Sequence, residues 1–315
     1  RYSMEWCPTH ALAEEMATVR NEVESSESDP GFVLDGRMAA VAYERHAYGK
    51  PILGTLADVS RIQSEILRAF YRRHYQPDNA ILVLAGAFNP ESALVLIQKF
   101  FGSHLRPARA LDRTIGVEPV RDEERTVVLR RTADAGLVGI QYRGVSGAHE
   151  DFAVQEALVH LLTADPSGRL HRDLVGKGLA EAVGGNVYAR AEPGVIHFFA
   201  QVRKGRQVED VRDRMIQAIE EFAAGSIREE DLERFKTAAV KEIEDILQDD
   251  ERTAIELSEW AAVGDWRLMT IHRDRIRRLT REQIRRVAWT CLTPGNRTVG
   301  LLVPVPRSAR LPLPD

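Results

Sequence analysis

At 315 residues, with 44% hydrophobic and 29% charged side chains, the chain has the makeup of a soluble globular protein long enough for two ordinary domains. Its 43 Lys and Arg against 47 Asp and Glu give a net charge of −4 with both signs interspersed, which argues against the basic stripe of a nucleic-acid binder. No apolar run is long enough to span a bilayer, and the 2 cysteines, Cys7 and Cys291, are too few for a disulfide framework or a thiolate metal site.

Leu12, Met16, Val19 and Val23 recur at helical spacing and predict a helix from Ala11 to about Ser28, ended by Ser28-Asp-Pro-Gly31. A second helix is expected over 32–45, closed by the turn residues of 46–51, followed by a helix over 62–75, a strand over 80–86 and a helix over 90–101. Periodicity then lapses through a polar stretch punctuated by Pro107, Gly116 and Pro119, which reads as a linker. Beyond it come strands at 126–130 and 137–142, a helix at 151–163, a shorter one from Gly168, and strands near 185–189 and 195–202. The remainder is helical in pattern: Val208, Val211, Met215, Ile219 and Phe222 form one apolar face, and Leu232, Phe235, Ala239, Ile243 and Ile246 form another. Ser226 to Glu229 and Thr280 to Gln283 have the spacing of capping boxes, and a last strand over 298–303 follows. Strands with segregated helices, met twice, indicate an α+β fold.

The two halves share a phrase. Ile62, Glu65, Leu67, Tyr75, Pro77 and Asn79 are matched 217 positions later by Leu279, Glu282, Ile284, Leu292, Pro294 and Asn296. Each set reads as helix, Pro-x-Asn turn and apolar strand, the signature of a duplicated unit. The second copy begins near Asp122, so the first is expected to begin about a hundred residues ahead of Arg1.

Few residues carry chemistry on their own. Glu15 and Glu22 are seven apart on the first helix, so both carboxylates lie on one face about 10 Å apart along the axis. One could ligate a metal while the other orders a partner, but from spacing alone a solvated acidic face with Glu14, Glu24 and Glu27 is the simpler reading. His10 and Glu14 read as a surface pair, and no His-x-x-Glu-His or His-x-x-His occurs, so no complete zinc site can be written. There is no Gly-x-Ser-x-Gly elbow and no phosphate loop. Gly176, Gly178, Gly184 and Gly185 read as turns, Trp260, Trp266 and Trp289 as packing residues, and the run from His272 to Arg278 as a solvated face with local ion pairs.

Taken in order, the motifs resemble the pitrilysin/insulinase-type zinc peptidases, which include the mitochondrial processing peptidases. The resemblance is carried by the run from Glu14 to Val23, Asp29-Pro30, His46-Ala-Tyr-Gly-Lys-Pro-Ile-Leu-Gly54 and Phe70-Tyr-Arg-Arg-His-Tyr-Gln-Pro-Asp-Asn79. It continues through Leu82 to Gly86, Pro166-Ser-Gly-Arg-Leu170, Gly178-Leu-Ala180, Ala200 to Gly205, Leu257 to Trp260, Gly264-Asp-Trp266 and Pro294-Gly-Asn-Arg297. It is closest to a bacterial envelope subgroup.

The resemblance implies two homologous processing-peptidase-like domains, each a mainly antiparallel sheet with helices packed on it. The first would occupy 1–105 and be incomplete, with a linker at 106–123 and a second, non-catalytic domain at 124–315. It implies zinc as cofactor, with Glu22 as third metal ligand and Glu15 as a supporting catalytic carboxylate. The His-x-x-Glu-His motif that supplies the other ligands and the general base would precede Arg1, so the stretch alone would be inactive. It further implies a peptide substrate held between this half and a second half, either of the same polypeptide or a homologous subunit, and a periplasmic or envelope location. Where many relatives carry an Arg–Tyr pair that holds the peptide carbonyl, this chain has Glu181 at the Tyr position, so 124–315 would supply wall rather than catalytic groups. The alternative is a non-catalytic scaffold or substrate-binding subunit of the same family.

Overall fold

The computed structural model describes residues 9–107, 111, 118–119 and 122–305. The architecture is α+β. Five helices come first: α1 (Thr9–Ser28), α2 (Pro30–Ala42), α3 (Leu56–Arg61), α4 (Ser64–His74) and α5 (Pro90–Phe101). Strands β1 (Arg125–Arg131) and β2 (Leu137–Arg143), helix α6 (Phe152–Thr163) and strands β3 (Ala180–Val187) and β4 (Val195–Val202) follow. The chain continues through α7 (Val208–Ala224), α8 (Glu229–Ile246), α9 (Asp250–Val263), α10 (Leu268–Arg277) and α11 (Arg281–Cys291) to β5 (Arg297–Pro304).

The strands form one sheet in the order β1-β5-β2-β4-β3, with β1 parallel to β5 and every other pair antiparallel. Alternation along each strand sorts side chains onto two faces. One face, with Ile140, Tyr142, Ile196, Phe198, Val299 and Leu301, packs on α6, α7, α8 and α11 to make the main core. The other face receives α2, whose Leu34 and Met38 are fully buried against Leu129 and Leu302. Close approach there depends on Gly139 and Gly300, register partners on β2 and β5, because a Cβ on either would collide with Met38.

The 217-residue offset is visible in the elements. α4 and α11 have matching ends at that offset, as do the 3-10 turns Pro77–Asn79 and Pro294–Asn296 that follow them. α1 and α2 fall, with shifts of a few residues, on α8 and α9. The copies part at the strand. Residues 80–86 are not a strand here, contrary to the sequence reading, and Ile81, Leu82 and Leu84 are exposed. Their counterpart β5 is hydrogen-bonded on both sides, to β1 and β2. No described strand offers 80–86 a ladder, and strand propensity without a partner does not make a sheet.

Local chemistry explains most boundaries and corrects several. Asp29 caps α2 by accepting from the N–H groups of Gly31 and Phe32, with Pro30 in the first turn. The Thr280–Gln283 capping box forms, and so does one at Thr55–Asp58 that starts α3. The box expected at Ser226 does not. α8 begins at Glu229 after an extended Arg228, whose guanidinium instead pairs with Asp231. Gly184 and Gly185 lie inside β3 rather than in turns; the Phe199 ring crosses the space a Cβ at Gly184 would fill. Gly178, at φ +67, does make the turn before β3. Trp260 is core, stacked edge-on against Phe152, whereas Trp266 and Trp289 are exposed. The run from His272 is divided: His272 is buried 2.7 Å from Glu156, while Arg273 and Arg277 pair with Asp274. Cys291 is half-buried; Cys7 lies outside the described residues, as does much of the expected linker.

A polar knot ties α7 to the turn at His171–Val175 and the residues flanking it. Buried Asp173 is held by Arg169 (2.6 Å), Arg214 (2.5 Å) and Lys177 (2.9 Å). Burial pushes its carboxyl up, but the hydrogen bonds from Lys177 and Arg169 and the charges of Arg169 and Arg214 hold it below the usual carboxylate range. Its folded pKa therefore lies under its unfolded one. The stabilisation is complete above the unfolded value of about 4 and is lost as pH falls through the folded value. Urea titrations from pH 6 to pH 2.5 are expected to show a steeper acid loss for the wild type than for Asp173→Asn; equal slopes would exclude the knot as a source of acid sensitivity.

Candidate functional site: the acidic face of α1

Helix α1 buries Leu12 and Val23, half-buries Met16 and Val19, and contacts α2 and α3 with that stripe. Glu15 and Glu22 lie beside the stripe, nearly aligned along the helix because seven residues close almost two turns. Both are exposed, as is Thr18 between them. No group of three or more His, Cys, Asp or Glu side chains able to hold a metal occurs among the described residues. The side chain of His10 lies outside them.

The repeat gives that face a counterpart. Glu15, Thr18 and Glu22 correspond at the 217 offset to Leu232, Phe235 and Ala239 of α8. Those three are the inward face of α8: Leu232 is fully buried, Phe235 is 6% exposed, and Ala239 packs against the main core. They meet α6, where the His160 ring lies 5.3 Å from that of Phe235. The position that carries apolar packing in one copy thus carries two carboxylates and a hydroxyl in the other. Burying an ionised carboxylate without a partner costs several kcal/mol or more, so a face so changed suits a polar or cationic neighbour, not a hydrophobic helix.

The segment after α2 is rigidly placed. Glu118 accepts from the N–H groups of Glu44 (3.0 Å), Arg45 (2.7 Å) and His46. Burial raises the Glu118 carboxyl, but those three backbone bonds outweigh it and hold it low. Tyr43, His46 and Tyr48 cluster edge to face, and the Tyr43 hydroxyl donates to the carbonyl of Pro193, with burial pushing its pKa up to about 12. Tyr43, and Tyr48 by accepting from the Glu192 N–H and lying under Arg190, therefore form a clasp between the end of α2 and the hairpin joining β3 to β4. Neither Thr18 nor this clasp was evident as such in the sequence; both need the spatial comparison.

A five-stranded sheet with α6, α7, α8 and α11 on one face and α2 on the other, preceded by helices that echo those of the second half, makes up the described chain. The chain belongs to the family described as the peptidase M16 inactive domain, which matches residues 61–239, more than half of its length. Among curated relatives, a Streptomyces coelicolor protein named uncharacterized zinc protease SCO5738 is 27% identical over 202 residues, covering 62% of this chain and 44% of that protein. The Helicobacter pylori protein named zinc protease PqqE is 25% identical over 215 residues, covering 67% of this chain and 48% of that one. The chain spans about half the length of these relatives. A crystal structure of a protease from Helicobacter pylori superposes with a TM-score of 0.89 at 22% identity, over 94% of this chain and 73% of that chain.

Proposed function

We propose that the chain is part of a zinc-dependent metalloendopeptidase, with Glu22 a metal ligand, Glu15 a supporting carboxylate, and the unit from about 124 onward a non-catalytic wall. The observation that carries this is the exchange of Leu232, Phe235 and Ala239 for Glu15, Thr18 and Glu22 at equivalent positions of two copies of one helix. The donor chemistry fits: carboxylate oxygen is an ordinary zinc ligand, and the face is open to receive one. When bound, zinc supplies Lewis acidity toward a carbonyl and lowers the pKa of a ligating water. Glu22 would bind through a carboxylate oxygen. Glu15, about two turns away on the same face, would accept hydrogen bonds from the groups that orient the site. The remaining ligands would come from a counterpart of α6, which the 217 offset would locate ahead of Arg1.

The unit spanning β1 to β5 carries the matching α8 face in apolar form, and Glu181 stands at an exposed position of β3. Both support a role in shaping a chamber for an extended peptide between this half and a second half, in the bacterial envelope. The test is zinc content of the full-length parent protein together with hydrolysis of a mixed peptide library. Stoichiometric zinc and cleavage are expected. A metal-free parent protein without cleavage would assign the chain to a scaffold subunit of the family instead. A narrower result separates the two glutamates: Glu15→Gln is expected to keep zinc while lowering kcat about 10- to 100-fold, the usual effect of losing an outer partner of a metal site.

A further inference from the structure

An open face of the first half has a buried counterpart in the second. At the 217 offset Tyr75, Leu82 and Leu84 correspond to Leu292, Val299 and Leu301. All six are aromatic or aliphatic, yet the first three are 59%, 54% and 50% exposed and the second three 4%, 0% and 3%. Between α4, residues 76–82 and α5 the open face sinks into a recess of about 820 Å³, walled by Phe70, Ile97 and Phe101. Contiguous apolar surface of this kind marks an interaction site. In the second half the same positions are covered by elements of their own unit. β5 pairs parallel to β1 and antiparallel to β2, and α11 packs on α6 and α7.

A side-chain amide marks the same seat. Asn296 closes the 3-10 turn after α11, and its Nδ2 donates to two carbonyls: Cys291 (2.8 Å) and Arg143, at the end of β2 (2.9 Å). Asn79 closes the matching turn after α4, and its Nδ2 donates to the carbonyl of His74 (2.8 Å), the residue equivalent to Cys291. The second bond has no equivalent among the described residues, although the amide carries two N–H groups. The position equivalent to Arg143 falls about 75 residues ahead of Arg1. We propose that the face around Tyr75, Leu82 and Leu84 seats two strands and a helix of preceding polypeptide, the counterparts of β1, β2 and α6, and that Asn79 hooks the end of the second strand. Residues 80–86 then become the strand between that pair, parallel to one and antiparallel to the other, as β5 is. The occupant belongs to the same polypeptide because β1, β2 and α6 precede α11 and β5 within one chain. The inference rests on the duplication, not on zinc. On the peptidase reading Asn79 is also a positioning residue, since the strand it hooks leads into the helix that brings the remaining ligands.

The test is amide hydrogen exchange, read by mass spectrometry on the full-length parent protein with the 315-residue chain alongside. Peptides spanning 80–86 are expected to exchange at least about a hundredfold more slowly in the parent protein than in the 315-residue chain, approaching peptides that span β5. Asn79→Ala in the parent protein is expected to speed exchange of 80–86 about 3- to 10-fold, the worth of one hydrogen bond, and Asn296→Ala to do the same for β5. Equally fast exchange of 80–86 in both wild-type proteins overturns the proposal, and that comparison needs no variant to fold. Protection lost when the parent protein is diluted to a monomer overturns it too, since a second copy would then cover the face. Unchanged exchange of 80–86 in Asn79→Ala overturns the hook. Exchange is read whether or not metal is bound, so failure here is distinguishable from failure of the peptidase reading.

Discussion

Glu22→Gln in the full-length parent protein is expected to abolish stoichiometric zinc and to lower kcat/KM by at least about a hundredfold, since even outer partners of metal ligands are worth 10- to 100-fold. The amide keeps the size and polarity of the side chain and removes the charge that makes it a ligand. Glu22 is exposed on α1, so the substitution leaves the fold in place, and unchanged thermal unfolding of the metal-free protein would verify that. Glu14→Gln is the matched control: it is equally exposed, one position from Glu15, but off the face that corresponds to Leu232, Phe235 and Ala239. Retention of both zinc and activity in Glu22→Gln would return the α1 face to a solvated acidic surface. Loss in both Glu22→Gln and Glu14→Gln would point to general electrostatics instead of ligation.

What the sequence revealed and what it hid follow from how local each signal is. The offset of 217 was legible because helix, Pro-x-Asn turn and apolar run are all local, and α4 and α11 indeed begin and end in register. The strand assignment at 80–86 failed because a strand is completed by its neighbours, which no local pattern supplies. Ser226 failed as a cap for a related reason: the Arg228–Asp231 ion pair competes at the same helix start. At the site, the spacing of Glu15 and Glu22 was legible, but not its meaning. A ligand face and an acidic face look alike in sequence, and comparison with the apolar face of α8 is what supports the proposed ligand reading. Gln141 and His197, 56 residues apart, become neighbours only through the pairing of β2 with β4.

The position of α1 depends on how α2 is seated, and that can be measured. Met38 is fully buried over Gly139 and Gly300, and α1 joins α2 through the Asp29 cap. Met38→Ala should destabilise the chain by about 2–5 kcal/mol, as a large side chain removed from a core leaves a cavity. Gly300→Val should cost about 1–3 kcal/mol, because the added carbons occupy the space of the Met38 sulfur. Both act on one contact, so the double variant should fall short of the sum by more than about 1 kcal/mol, well outside the additivity of separate sites. Urea unfolding read by circular dichroism gives all three values. Additive losses would mean that α2 is not held in the glycine groove. A strong coupling carries a consequence for the metal: Gly300→Val, on a strand that contributes no ligand, should then weaken zinc binding in the parent protein by displacing the helix that presents Glu22.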